Sequence, residues 1–199
     1  MLEQDEVIVS VSLPFTRENE YFEGFKQARR REDDIAIVTA AMRVLLEPTA
    51  SGSLVVKELG IGLGGVDKVT KPAGHTERVL QGCEWNDDLI DKACAALRLD
   101  AFVPPNAPGG MVKFRRTLVN SFFYKFYLRV KAQALGIDAI PPKERSALPE
   151  FTKPLMHAEQ HYQVVDERRP VHLPLPHLSA KKQVTGEAIV RMQVSEQVS

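Results

Sequence analysis

The densest group of charged side chains in this chain lies at residues 26–34. Four basic residues fall within six positions, Lys26 and Arg29 to Arg31, and three acidic residues, Glu32 to Asp34, follow at once. Lysine and arginine bind anionic groups such as phosphates through charge-assisted hydrogen bonds. Charge runs of this kind are more often solvated surface, so the residue types alone leave both an anion-binding loop and a solvated loop open.

The segment before this cluster predicts an amphipathic helix. Either Thr16 or Asn19 has a side chain suited to its N-cap, and basic residues near its C-terminus would complement the helix dipole, so we expect it to end near Arg30 or Arg31. The acidic residues would then lie in a loop. The apolar residues of this helix recur on neighbouring turns and are Tyr21, Phe22, Phe25 and Ala28.

Several other segments in the first half predict strands. Residues 7–13 alternate in polarity, which predicts a first strand with one buried face that is closed by Pro14. Residues 35–46 are mostly apolar at odd and even positions alike, which predicts a long central strand. Residues 54–63 predict its partner, and residues 66–69 predict the start of a third antiparallel strand.

The glycine-rich run at residues 60–65 resembles a phosphate-binding loop that follows a strand. Such a loop requires a helix directly after it, whose N-terminus binds the anion. The residues that follow have strand character instead, so we predict a glycine-rich hairpin.

The second half of the chain predicts helices followed by an irregular tail. A 3,4 spacing of apolar residues predicts a helix over residues 87–99, and a wide apolar stripe predicts the strongest helix from Met111 to about Leu135. Prolines and scattered charges from residue 136 to 169 indicate a linker. The predicted fold class is α+β: a small antiparallel sheet of three to four strands packed against helices, followed by an irregular, proline-containing tail.

Composition narrows the class of protein further. The chain of 199 residues carries 26 basic and 26 acidic residues, so no net charge favours nucleic acid or a membrane surface. Its apolar runs are shorter than the ~20 residues that span a bilayer, its start does not predict a secretory signal, and Cys83 and Cys94 fit reduced thiols. We therefore expect a cytoplasmic protein without nucleic-acid or membrane partners. His157 and His161 lack the adjacent glutamate of a zinc protease helix, and we predict neither a catalytic set nor metal ligands in this chain.

Four blocks of sequence carry a resemblance to a known family. They are Tyr21–Ala28 with Arg30–Ala36, Pro105–Met111 with Phe114–Leu118, Ser121–Leu128, and Pro174–Ala180 with Thr185–Ala188. In order and spacing, from about Val7 to Ala188, they resemble the last part of the FAD domain and the entry to the molybdenum half of the eukaryotic xanthine dehydrogenase and aldehyde oxidase family. The chain is identified as a member of this family.

The resemblance implies a division of the chain and a set of site residues. Residues 1–135 would form the C-terminal FAD subdomain, similar to that of CO dehydrogenase flavoprotein, residues 136–168 an interdomain linker, and residues 169–199 the truncated start of the molybdenum-binding domain. By the family's pattern, Lys26 and Ile8 would contact FAD, Ile8 through its backbone or by packing. Arg31 would join a charged cluster, and Asp33 would lie near the flavin.

The same resemblance implies that the loop at residues 27–37 lies beside the flavin. Ile37 stands where the family usually has a lysine, so the charge balance of this loop departs from the family's pattern.

In the complete enzymes of this family, purines or aldehydes are oxidised at a molybdenum cofactor, and electrons cross two iron–sulfur clusters to FAD and then reach NAD or oxygen. This chain has no cysteine set for a cluster. The resemblance therefore implies a partial FAD site here, with molybdopterin and 2Fe–2S clusters only in the complete parent enzyme.

The implied partners are the remaining FAD, iron–sulfur and molybdenum domains, in an enzyme that is a homodimer when complete. We expect a fragment of an oxidoreductase that is not catalytic alone. The alternatives are a non-catalytic interaction module and a truncated product without independent activity.

Overall fold

The computed structural model describes residues 5–30, 35–149, 157–159, 161, 166–171 and 173–188. It confirms the α+β class, with one antiparallel sheet of four strands in the order β1-β2-β3-β4. The strands are β1 (Glu20–Ala28), β2 (Ala36–Pro48), β3 (Leu54–Gly64) and β4 (Lys71–Pro72). The α-helices are α1 (Gly74–Leu80), α2 (Asp88–Asp100), α3 (Val112–Leu135) and α4 (Ala180–Val184).

The long central strand and its partner are confirmed as β2 and β3. β2 pairs with β1 on one side and with β3 on the other. Alternate residues of β2 face the core, and these are Val38, Ala40, Met42, Val44 and Leu46. The glycine-rich run is also confirmed as part of a hairpin, because Gly60 to Gly64 belong to β3, which then pairs with β4.

The predicted helix that begins after Thr16 or Asn19 and ends near Arg30 or Arg31 is wrong, because Glu20–Ala28 form the strand β1. Tyr21 and Phe25 lie on one face of an α-helix, being four residues apart, but an even separation also places them on one face of a strand. Phe22 distinguishes the helix from the strand. In a helix its side chain would lie on the same face as Tyr21 and Phe25, but in the structure it is 62% exposed. Pairing with β2 overrides the local helical pattern.

The predicted strand over residues 7–13 is also wrong, because residues 7–17 form neither a strand nor a helix. The apolar side chains of this segment are exposed, at 91% for Val9 and 86% for Leu13. Alternating polarity alone does not make a strand, because a strand needs a neighbouring strand for its backbone hydrogen bonds.

The third strand predicted to start at residues 66–69 begins later in the chain, as β4 at Lys71. Gly65 turns the backbone with a φ of 81°, and the Asp67 carboxylate then accepts a hydrogen bond from the Lys68 backbone N–H at 2.7 Å. These local bonds bend residues 66–69, so strand pairing resumes only at Lys71.

The two predicted helices of the second half are confirmed as α2 and α3, and α3 supplies much of the core. Eight residues of α3 are buried: Leu118, Val119, Phe122, Phe123, Phe126, Tyr127, Leu128 and Val130. The Trp85 ring packs edge-on against Phe126, with ring centroids 6.0 Å apart. The Tyr127 hydroxyl donates a hydrogen bond to Asp87 at 2.6 Å, and burial raises the pKa of Tyr127.

The chain divides into two compact units, Met1–Phe151 and Thr152–Ser199. In the first unit, the start of the predicted linker forms two 3₁₀ helices, Ile137–Ala139 and Pro142–Ala147. Ile140 between them is fully buried in the hydrophobic core. In the second unit, the described residues include a 3₁₀ turn at Asp166–Arg168 and the short helix α4.

Replacing Ile140 with alanine should destabilise the folded chain, because Ile140 is fully buried while Ile137 nearby is 55% exposed. We expect the free energy of unfolding to fall by about 2–5 kcal/mol for Ile140→Ala and by less than about 0.5 kcal/mol for the control Ile137→Ala. Urea unfolding followed by circular dichroism measures both. Equal effects of the two substitutions would contradict the packing of this segment on the core.

Candidate functional site

Strand β1 places the basic residue Lys26 on the side of the sheet opposite α3. Phe25 points toward α3 and stacks on Phe122, with ring centroids 5.3 Å apart and an interplanar angle of 18°. Successive side chains of a strand point to opposite faces, so Lys26 projects from the other face, where it is exposed and lies opposite Thr39 of β2.

A second set of contacts holds β1 against α3. The Arg129 guanidinium pairs with the Glu23 carboxylate and lies over the Phe25 ring, 5.6 Å from its centroid. The same guanidinium donates a hydrogen bond to the Pro149 carbonyl oxygen at 3.1 Å. These contacts fix the register and the orientation of the strand that carries Lys26.

We use the term outer face for the surface of the sheet that lies opposite α3. Antiparallel neighbours that stand directly opposite each other share a face, so the pairing register assigns its members. They are Phe22, Gly24 and Lys26 of β1, Thr39, Ala41 and Arg43 of β2, and Gly60, Gly62 and Gly64 of β3. Phe22, Gly24, Lys26 and Ala41 are exposed.

A network of four charged groups closes one end of the outer face. The Arg43 guanidinium contacts Glu20 and, at 2.9 Å, Glu58, and the Arg17 guanidinium contacts Glu20 at 3.1 Å and Glu58 at 2.8 Å. Hydrogen bonds from the Arg17 side chain and backbone, with a further one from Arg43, hold the pKa of the Glu20 carboxyl at about 2. The pKa of Glu58 is lowered by hydrogen bonds from the same two arginines.

The four residues predicted to contact or neighbour the cofactor fall in different parts of the chain. Lys26 lies on the outer face, and Ile8 lies in the segment before β1, where it is 66% exposed. Arg31 and Asp33 lie outside the described residues. The assignment of all four to a cofactor site stays a prediction.

The base of the loop at residues 27–37 lies next to a residue that the sequence analysis did not single out. Arg115 donates one hydrogen bond to the Gly65 carbonyl oxygen at 3.1 Å and another to the Pro108 carbonyl oxygen at 2.6 Å. A cavity of about 340 Å³ lies here, lined by Arg29, Ile35, Ala36, Ile37, Gly65, Gly109, Met111 and Arg115. Arg115 occurs in one of the family blocks, but its partner Gly65 is 50 positions away, so no local pattern shows the contact.

Within the described residues, no group of three or more histidine, cysteine, aspartate or glutamate side chains is arranged to hold a metal ion. None of the helices in that part of the chain combines the length and apolar character needed to cross a membrane.

Comparison with known proteins identifies the family. The sequence profile of the CO dehydrogenase flavoprotein C-terminal domain matches residues 23–130, which include most of β1, all of β2 to β4 and most of α3. The chain belongs to this family.

The relatives are xanthine dehydrogenases. That of Dictyostelium discoideum is 38% identical in an alignment of 201 residues that spans 94% of this chain and 15% of that protein. Xanthine dehydrogenase/oxidase of Felis catus is 44% identical in an alignment of 200 residues that spans 95% of this chain and 15% of that protein. The resemblance predicted from the sequence is confirmed, and the chain spans about 15% of the length of these relatives.

The charge network predicts a pH dependence of stability. The folded-state pKa of Glu20, about 2, lies below the ordinary value of 4.5, so the unfolded chain binds more protons between these two values. The contribution of Glu20 is therefore present above pH 4.5 and is lost as the pH falls toward about 2. We expect the variant Glu20→Gln to lose less stability than the original chain across this interval.

Urea unfolding at a series of pH values, followed by circular dichroism, measures this difference. A Glu20→Gln chain whose free energy of unfolding falls with pH as steeply as that of the original chain would contradict the network.

Proposed function

We propose that this chain supplies the closing part of the FAD-binding domain in a xanthine dehydrogenase-like oxidoreductase. The observation that carries the proposal is the match to xanthine dehydrogenases over 94–95% of the chain at 38–44% identity. In such an enzyme, electrons pass from iron–sulfur clusters to FAD and on to NAD or oxygen. Residues 1–135 would form the FAD subdomain, residues 136–168 a linker, and residues 169–199 the start of the molybdenum-binding domain.

The chemistry of the outer face fits a flavin nucleotide. Lys26 is exposed and would offer an ammonium group to an anionic or carbonyl oxygen of the cofactor. FAD, when bound, would accept and release electrons, while Lys26 and Ile8 would bind and orient it, with Arg31 and Asp33 setting the local charge.

The remaining cofactors and partners follow from the same proposal. Molybdopterin and the 2Fe–2S clusters would belong to the complete enzyme, a cytoplasmic homodimer in which this chain contacts the other FAD, iron–sulfur and molybdenum domains. The 199-residue chain alone would not oxidise xanthine. Urate formation by the purified chain without added partner chains would overturn this part of the proposal.

The free edge of β1 favours a second candidate function, that of an interaction module. Within the described residues, β1 pairs only with β2, so its other edge is open to an additional strand. Gel filtration separates the two candidates: flavin absorbance that persists with the chain supports the cofactor function, whereas a colourless chain that co-purifies with a full-length relative supports the interaction function.

Lys26→Ala should weaken flavin retention. The test protein is the Dictyostelium discoideum xanthine dehydrogenase with this chain in place of its matching 201-residue segment. Loss of one charge-assisted contact costs about 1.5–3 kcal/mol, or about ten- to one-hundredfold in the dissociation constant of FAD. Flavin content after dialysis and titration of the apoprotein with FAD measure the change.

The matched control is Lys57→Ala, which removes an exposed lysine of β3 that pairs with Glu47. We expect this variant to bind FAD like the unsubstituted chimera and Lys26→Arg to recover part of the affinity lost in Lys26→Ala. Equal FAD affinities for Lys26→Ala and the unsubstituted chimera would refute the role of Lys26.

A further inference from the structure

The outer face lacks the polar character of a sheet surface that meets water. An antiparallel sheet with one solvated face normally alternates apolar residues inside with polar residues outside. Here the central row of the face consists of Gly24, Ala41 and Gly62, and the apolar side chain of Phe22, at 62% exposure, lies in the next row, opposite Arg43. The charged side chains of the face lie toward its two ends, at Arg43 and at Lys26.

Neither the backbone conformation nor the packing of the described fold requires glycine at Gly24 and Gly62 of the central row. Gly24 and Gly62 do not adopt the left-handed conformation that favours glycine. A Cβ at Gly24 would meet no atom within 4 Å, and a Cβ at Gly62 would meet only the Ala41 carbonyl oxygen, at 4.0 Å. Glycine inside a strand weakens it and often marks a place where another backbone approaches closely.

The segment before β1 reaches the charged end of this face. The Arg17 side chain holds the end of the segment to the outer face through Glu58 on β3, at 2.8 Å. Upstream of Arg17, exposed apolar residues continue along the segment, including Phe15 at 99% and Leu13 at 86% exposure. Large exposed apolar surfaces of this kind mark contacts with other protein.

From these observations we infer that the outer face is an interface, and that its occupant is the rest of the FAD-binding domain of the complete protein. The chain spans only 15% of its relatives while matching them over 94–95% of its own length, so the relatives possess the polypeptide that would cover it. One partner would bury both the central row and residues 7–15. The choice of occupant rests on the proposed function; the presence of an interface does not.

The test places a thiol at the centre of the face. Ala41→Cys is compared between the isolated 199-residue chain and the Dictyostelium chimera by maleimide labelling, quantified at the position 41 peptide by mass spectrometry. We expect labelling to be about tenfold slower in the chimera, because interface cores exclude water. The exposed α2 position Lys92→Cys is the control and should label at the same rate in both proteins.

Several outcomes would overturn the inference. The first is equal labelling of Ala41→Cys in the two proteins, and the second is labelling in the chimera that slows equally for Ala41→Cys and Lys92→Cys. The third is protection of Ala41→Cys in the isolated chain that grows with the concentration of the chain, which would assign the face to a second copy. Protection that vanishes when FAD is stripped would assign the face to the cofactor instead. Protection in a chimera that retains no flavin would support the interface while the proposed function fails.

A second variant tests whether another backbone lies close to the centre of the outer face. Gly24→Val should leave the isolated chain at least as stable, because its Cβ meets open space and valine favours strands. In the chimera, the same substitution should lower the thermal unfolding midpoint, because the partner approaches the backbone there. An unchanged midpoint of the chimera would contradict the inference.

Discussion

The stacking of Phe25 on Phe122 determines how this fold presents its candidate site. β1 is an edge strand, and burial of its aromatic rings against α3 is the main apolar contribution available to it. Because side chains alternate along a strand, Lys26 must project from the outer face when Phe25 is stacked at 5.3 Å on Phe122. A slip of one residue would bury Lys26 and expose Phe25, so the core contact also fixes the position of the charge.

Polar contacts on both faces of β1 reinforce this register. On the α3 side, Glu23 pairs with Arg129, and on the outer face, Glu20 pairs with Arg43. Register is strongly specified where each face has distinct partners. The outer face is therefore built with defined geometry although none of the described helices in the first unit covers its centre, which fits a surface that other parts of a larger protein complete.

The elements that sequence predicts well are those whose pattern is long and whose partners are close. β2 follows from a run that is apolar at odd and even positions alike, β3 from its place as the partner strand, and α2 and α3 from their apolar periodicity. β1 does not, because Tyr21 and Phe25 share a face in either a helix or a strand. The strand predicted at residues 7–13 needs a partner that the described residues do not supply. The helix α1 is short and depends on a distant group: the Asp100 carboxylate accepts hydrogen bonds from the backbone N–H groups of His75 and Thr76.

The candidate site shows the same limits. Its basic residues stand out in the sequence, but their assignment to a flavin came from the family resemblance, and the strand that turns Lys26 away from the core came only from the structure. The Arg115 contact with Gly65 and the opposite placement of Gly24, Ala41 and Gly62 depend on pairing between distant segments, which no local pattern encodes.

The most direct measurement is a structure of the flavin-loaded, full-length protein that contains this chain. The account predicts that the Lys26 Nζ atom lies within about 3 Å of an oxygen or nitrogen atom of FAD, with the outer face turned toward the remainder of the FAD-binding domain. A structure in which Lys26 faces bulk water, remote from the flavin, would contradict the account.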